Sequence, residues 1–260
     1  MQAGQAQRSQ HKVDVDPLGS RLINRLPHDV RRRASALVNR RRFRRFQELR
    51  HTETPEGYSL AQFDELKCIF VHVPKVAGVS ICRSLFGNLA GGHLTIALYR
   101  IVFSKDEFDG YFKFAFVRNP WDRLLSAYTF LAQGGMNRSD RAWAEENLTR
   151  YGDFEEFVSR WVSRDTVETS LHFLPQHRFL CLPFSRTVAV NFVGSYENLD
   201  RDFAYVRERL GLSSGVGLPH HNKTPAPAAR SDYRDHYTAA TRRIVEDVYR
   251  EDIELFGYSF

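Results

Sequence analysis

Long apolar runs are missing from this 260-residue chain. No stretch approaches the ~18 consecutive apolar residues of a membrane-spanning helix. The early charges are not followed by the apolar segment of a secretory signal. These absences lead us to expect a soluble, cytoplasmic protein, peripheral to a membrane at most. Cysteine is scarce: Cys68, Cys82 and Cys181 are odd in number and match no metal-ligand spacing. We read them as reduced structural thiols and expect no metal. A nucleoside-triphosphate loop is absent too. A Walker A pattern, G-x-x-x-x-G-K-[ST], aligned on Gly78 would need glycine and lysine where the chain has Val73 and Val79.

Apolar content of 42% and aromatic content of 13% are ample for the core of one domain with appendages. The net charge of +6 is unevenly spread. Between Arg21 and Arg50 stand eleven arginines against Asp29 and Glu48, a local +9 that leaves −3 for the remainder. A positive site in the body must therefore be built locally rather than by a general basic field.

Residues 1 to about 20, rich in Gln, Ser and Gly, have the composition of a disordered segment. Asp29 to Leu49 follows a helical pattern, with Val30, Ala34, Leu37 and Val38 in one partial stripe and Phe43, Phe46 and Leu49 in another. The arginines here could meet an anionic membrane surface, nucleic acid or a polyanionic acceptor, or simply face solvent on a loosely packed helix. Thr52 to Tyr58 reads as a linker. The expected division is a basic, partly disordered arm and linker over 1–60 and one catalytic domain over 61–260.

Two stretches carry the chemistry. Cys68 to Val73 has the β-branched and aromatic character of a buried strand, ended by Pro74. Ile81, Leu85 and Phe86 then recur at helical spacing, so Ser80 falls near a helix N-terminus. Strand, tight loop and helix make an anion-binding geometry, and Lys75 adds a positive charge. Tyr111 to Val117 predicts a second strand, broken by Arg118-Asn119-Pro120-Trp121-Asp122-Arg123, before Leu124, Leu125, Tyr128 and Leu131 continue as a helix. Arg suits a phosphate because its planar fork engages two oxygens, and Ser126 can add a hydroxyl. Asp122 and Arg123 read as structural ion partners.

The Pro74-Lys75-x-Ala77-Gly78-x-Ser80 pattern resembles the 5′-phosphosulfate loop of sulfotransferases that use 3′-phosphoadenosine 5′-phosphosulfate (PAPS). The likeness is to sulfotransferase family 2, which includes carbohydrate 2-O-sulfotransferases. The segment from Val117 to Tyr128 is similar to that family's 3′-phosphate motif. The resemblance covers about Leu66 to Phe260. It implies an α/β, P-loop-like three-layer fold with a mainly parallel central sheet flanked by helices, and transfer of a sulfuryl group from PAPS to a hydroxyl, on a carbohydrate, without metal. It further implies that Lys75, Val76, Ala77, Gly78, Val79 and Ser80 hold the 5′-phosphosulfate, that Arg118 and Ser126 hold the 3′-phosphate, and that Lys75 stabilises the leaving oxygen. The family usually has Thr at the positions of Val76 and Val79, so two hydroxyl donors are absent. Its eukaryotic members typically carry an N-terminal membrane anchor, and no such segment is visible here. In the 2-O-sulfotransferases a histidine between the two motifs is catalytic. Gly91-Gly92-His93-Leu94-Thr95 is the matching place, which makes His93 the candidate general base.

Several readings remain beside these. His93 could instead hydrogen-bond its turn, and His72 fits a core histidine. His220 and His221 follow the last predicted strand, which spans Thr187 to Val193. Glu197 could be an acid, a base or a structural partner. Lys223, in a Pro-rich loop, could close over the nucleotide. Phe154, Phe157, Val158, Trp161 and Val162 form one expected core face, and Leu199, Phe203, Val206 and Leu210 another. A nucleotide kinase-like enzyme, or a noncatalytic binder of nucleic acid or membrane acting through the arm, are the competing functions, with nucleic acid disfavoured as a partner.

Overall fold

The computed structural model describes residues 26–54, 57–218 and 232–260. The expected disordered segment at 1–20, His220, His221 and Lys223 lie outside these described residues. The described chain forms two compact units, one made of residues 26–117 and 176–218, the other of 118–175 and 232–260.

The first unit holds a three-stranded parallel sheet in the order β1 (Cys68–Val71), β2 (Phe112–Val117), β3 (Phe192–Ser195). Cys68 pairs with Phe112 and Val71 with Ala115, while Phe114 pairs with Phe192 and Val117 with Ser195. Every residue of β1 is buried, as are all of β2 but the half-buried Phe112. That burial is what their near-continuous apolar sequences require of strands covered on both faces. The sheet is flanked by helices, giving the mixed α/β architecture expected.

Two strand limits differ from the sequence reading. β1 stops at Val71, four residues before the positive φ of Lys75, although Val73 remains fully buried. β3 begins at Phe192 rather than Thr187. Asn191 engages Lys113 by backbone and side chain, its N–H donating to the Lys113 carbonyl at 2.7 Å and its Oδ1 accepting the Lys113 N–H at 2.8 Å. Val188 instead makes an isolated antiparallel bridge with Cys181. Lys113, the one charged residue of β2, is buried with its ammonium on the carbonyls of Phe108 and Tyr111, at 2.7 and 2.8 Å. These carbonyls close the end of the Lys105–Gly110 helix, where a cation is favoured.

The arginine-rich segment is two helices, His28–Val38 and Arg40–His51, broken at Asn39. Both pack on the Ile96–Val102 helix. His28 Nε2 bonds the Phe103 carbonyl at 3.0 Å, and Arg50 forms ion pairs with Asp64 and Glu107, each at 2.5 Å. Residues 28–51 thus belong to the same compact unit as the sheet. All three cysteines are free and buried, and burial pushes the thiols of Cys68 and Cys82 upward. Among the described residues no helix is long and apolar enough to cross a membrane.

The second unit is helical. Helices Pro120–Ala132, Phe154–Arg160 and Ala239–Val248 contribute to a core containing Trp121, Leu124, Phe157, Trp161, Phe173 and Val245. The predicted face from Phe154 to Val162 is buried throughout. The second predicted face lies in the first unit, with Phe203 and Val206 buried and Leu199 and Leu210 half-buried.

Candidate active site

Beyond β1 the chain passes through a tight turn at residues 74–77, with Lys75 at φ +70° and Ala77 at φ +63°. These are left-handed conformations that non-glycine residues adopt rarely. The helix Gly78–Phe86 starts immediately after, and Ala77, standing at its N-cap, has no side-chain oxygen with which to satisfy the first N–H groups. Uncapped donors and the positive end of the helix therefore meet at this turn, the arrangement that suits a phosphate. Lys75 is half-buried beside it, and Ser80 is buried in the first turn.

Gly78 is required by close approach rather than by φ. A Cβ there would lie 1.9 Å from both Cδ2 and Nε2 of His72, whose ring is packed under the start of the helix. His72 is 6% exposed, stacks on Phe70 with centroids 5.7 Å apart, and has Cys82 Sγ 3.9 Å from its Nδ1. The core-histidine reading of His72 holds, but its position gives it a further role as the floor of the loop.

His93 is joined to that floor. Its ring centroid is 4.3 Å from that of His72, and its Nδ1 is 2.9 Å from the His72 carbonyl oxygen. A carbonyl only accepts, so Nδ1 carries the proton of this bond and Nε2 is the basic nitrogen of the neutral ring. The turn-bonding and general-base readings of His93 are therefore compatible.

The second motif begins where β2 ends. β1 and β2 are adjacent and parallel, so their C-terminal ends lie at one edge of the sheet, the edge that the Lys75 turn leaves. In the second unit Arg118 is 4% exposed and is gripped by Asp122, with Nε to Oδ2 and Nη2 to Oδ1 both at 2.7 Å. Asp122 and Ser126 are one turn apart on the Pro120–Ala132 helix, hence on one face. Asp122 thus draws the guanidinium towards the face that carries the half-buried Ser126.

The expected pairing of Asp122 with Arg123 is not what forms. Arg123 is 1% exposed and turns inward, donating to the carbonyls of His172 at 3.2 Å and Leu174 at 2.8 Å. The helix points the two consecutive side chains in different directions, and adjacency in sequence conceals this. Glu197 is exposed on a short 3-10 turn after β3. The two threonine replacements also part company: Val76 is fully buried, whereas Val79 is half-exposed in the first helical turn.

A family model described as "Sulfotransferase family" matches residues 98–259, well over half of the chain. The match contains Arg118 and Ser126 and begins after the Lys75 turn and His93. Among curated proteins the chain is similar to carbohydrate sulfotransferase 14 of Danio rerio, 28% identical over 226 residues, covering 75% of this chain and 60% of that protein. Carbohydrate sulfotransferase 14 of Homo sapiens is 30% identical over 224 residues, covering 75% and 58%. Carbohydrate sulfotransferase 11 of Mus musculus is 26% identical over 269 residues, covering 89% and 73%. The chain thus spans about 60% of the length of the first of these relatives. No solved structure matches it. With both the family model and these relatives spanning the Arg118 motif, the chain belongs to the sulfotransferase family.

Proposed function

We propose that this protein moves the sulfuryl group of PAPS to a hydroxyl of a carbohydrate, leaving adenosine 3′,5′-bisphosphate. The observation that carries the reading is the uncapped helix start at Gly78, set behind a left-handed turn that bears Lys75. Names of the similar proteins support a carbohydrate acceptor.

Sulfuryl transfer, like phosphoryl transfer, asks little covalent chemistry of the protein; positioning and neutralisation of developing charge dominate. The backbone N–H groups of Gly78 to Ser80 and the Ser80 hydroxyl hold the 5′-phosphate. The Lys75 ammonium stabilises the negative charge that builds on its bridging oxygen as the S–O bond breaks. Arg118, braced by Asp122, and Ser126 hold the 3′-phosphate. His93 Nε2 accepts the acceptor hydroxyl proton as the new S–O bond forms, while Nδ1 stays on the His72 carbonyl.

Calorimetry with adenosine 3′,5′-bisphosphate tests the nucleotide half without the acceptor: binding that weakens in both Lys75→Ala and Arg118→Ala is expected. Radiolabelled sulfate transfer to a panel of glycans tests the rest. There His93→Ala should slow turnover about 10²–10⁴-fold with bisphosphate affinity nearly constant. Absence of bisphosphate binding, or ATP turnover without sulfate transfer, would overturn the proposal.

A further inference from the structure

The helix His28–Val38 is packed inside out. His28, Arg31 and Ser35, spaced at one helical face, are its buried residues, at 5%, 1% and 9% exposure. Its aliphatic residues point the other way: Val30 is 49%, Leu37 66% and Val38 71% exposed. A helix that buries polar groups and presents aliphatic ones to water has reversed the usual preference.

The charge around that face is of one sign. From Val30 to Gln47 there are eight arginines and no acidic residue. Two of them lie over aromatic rings of the second helix, Arg32 over Phe43 at 5.2 Å and Arg42 over Phe46 at 5.5 Å. Arg33, Arg40, Arg41, Arg44 and Arg45 are exposed. The break at Asn39 sets Leu37 and Val38 directly beside Arg40 and Arg41 at the corner between the two helices.

We propose that this corner docks the protein on an anionic lipid bilayer, with Leu37 and Val38 entering the headgroup boundary and the five exposed arginines meeting lipid phosphates and carboxylates. Apolar insertion combined with basic charge is the pairing that holds interfacial helices. A nucleic acid would use the arginines and leave the aliphatic side chains unexplained. A second copy packed about a two-fold axis would bring two fields of the same sign together.

The test is cosedimentation of the full chain with vesicles of phosphatidylcholine, alone or mixed with phosphatidylserine. Binding is expected only with phosphatidylserine, and it should weaken as salt rises. Leu37→Ser/Val38→Ser and, separately, Arg40→Gln/Arg41→Gln/Arg44→Gln/Arg45→Gln should each lower partitioning about tenfold or more. Both variants should melt and bind adenosine 3′,5′-bisphosphate as the wild type does, since the substituted side chains are exposed. Equal partitioning onto both vesicle types overturns the proposal, as does a serine variant that binds like the wild type. Duplex DNA binding without vesicle binding, or a dimer lost in the serine variant without vesicle binding, assigns the face to another occupant and equally overturns it.

Discussion

Asp122 holds Arg118 through two parallel hydrogen bonds of 2.7 Å, one turn along the helix from Ser126. The arginine is nearly inaccessible while its partner is a quarter exposed. Asp122 therefore aims the guanidinium as well as neutralising it.

Asp122→Ala should weaken adenosine 3′,5′-bisphosphate binding by about 1–3 kcal/mol, because it releases the brace and leaves a buried cation without its carboxylate. Arg118→Ala removes the phosphate partner itself and should cost about 2–5 kcal/mol. Calorimetry on both variants checks the order; Asp122→Ala binding as tightly as wild type would show that the carboxylate does not orient Arg118.

Gly78→Ala should destabilise the protein by about 1–3 kcal/mol, as overpacking does, and damage bisphosphate binding at the same time. The cause is a methyl group 1.9 Å from the His72 ring. In His72→Ala/Gly78→Ala the obstruction is gone, so part of the melting temperature should return. A double variant no more stable than Gly78→Ala would place the clash elsewhere.

The missing threonines should behave differently when restored. Val79→Thr puts a hydroxyl in the first turn of the helix, half-exposed, where a bond to the 5′-phosphate could add about 1.5–3 kcal/mol of affinity. Val76→Thr buries its hydroxyl in a fully enclosed position and should cost about 1–3 kcal/mol of stability. Melting curves with and without the bisphosphate distinguish these outcomes.

The acid limb of stability should depend on Arg50. Its hydrogen bonds hold the Glu107 carboxyl down at about 2, against the ordinary 4.5. A carboxyl depressed on folding contributes stability that is complete above about 4.5 and lost as pH falls towards about 2. Arg50→Met should cost about 2 kcal/mol near neutrality, a figure reduced for solvent screening of partly exposed carboxylates. It should also flatten the stability profile through that acid window. Denaturant melts across pH measure both, and an unchanged acid limb would remove Arg50 as its source.

Local order settled what could be read directly from the chain. The strands at Cys68 and Phe112, the turn with Lys75, the helix start near Ser80, the Arg118 motif and the core face from Phe154 to Val162 all follow from periodicity and from residue types within a few positions. Tertiary structure decided the rest. It determined that Asp122 faces Arg118 while Arg123 turns inward, that Val76 is enclosed and Val79 is not, and that His28 and Arg31 rather than Leu37 and Val38 face the body. It placed His72 beneath Gly78 and bonded its carbonyl to His93, 21 residues further along. Spacing along a chain records which side chains share a face of one element; which neighbour that face meets depends on contacts between segments far apart in sequence, and these exist only once the chain has packed.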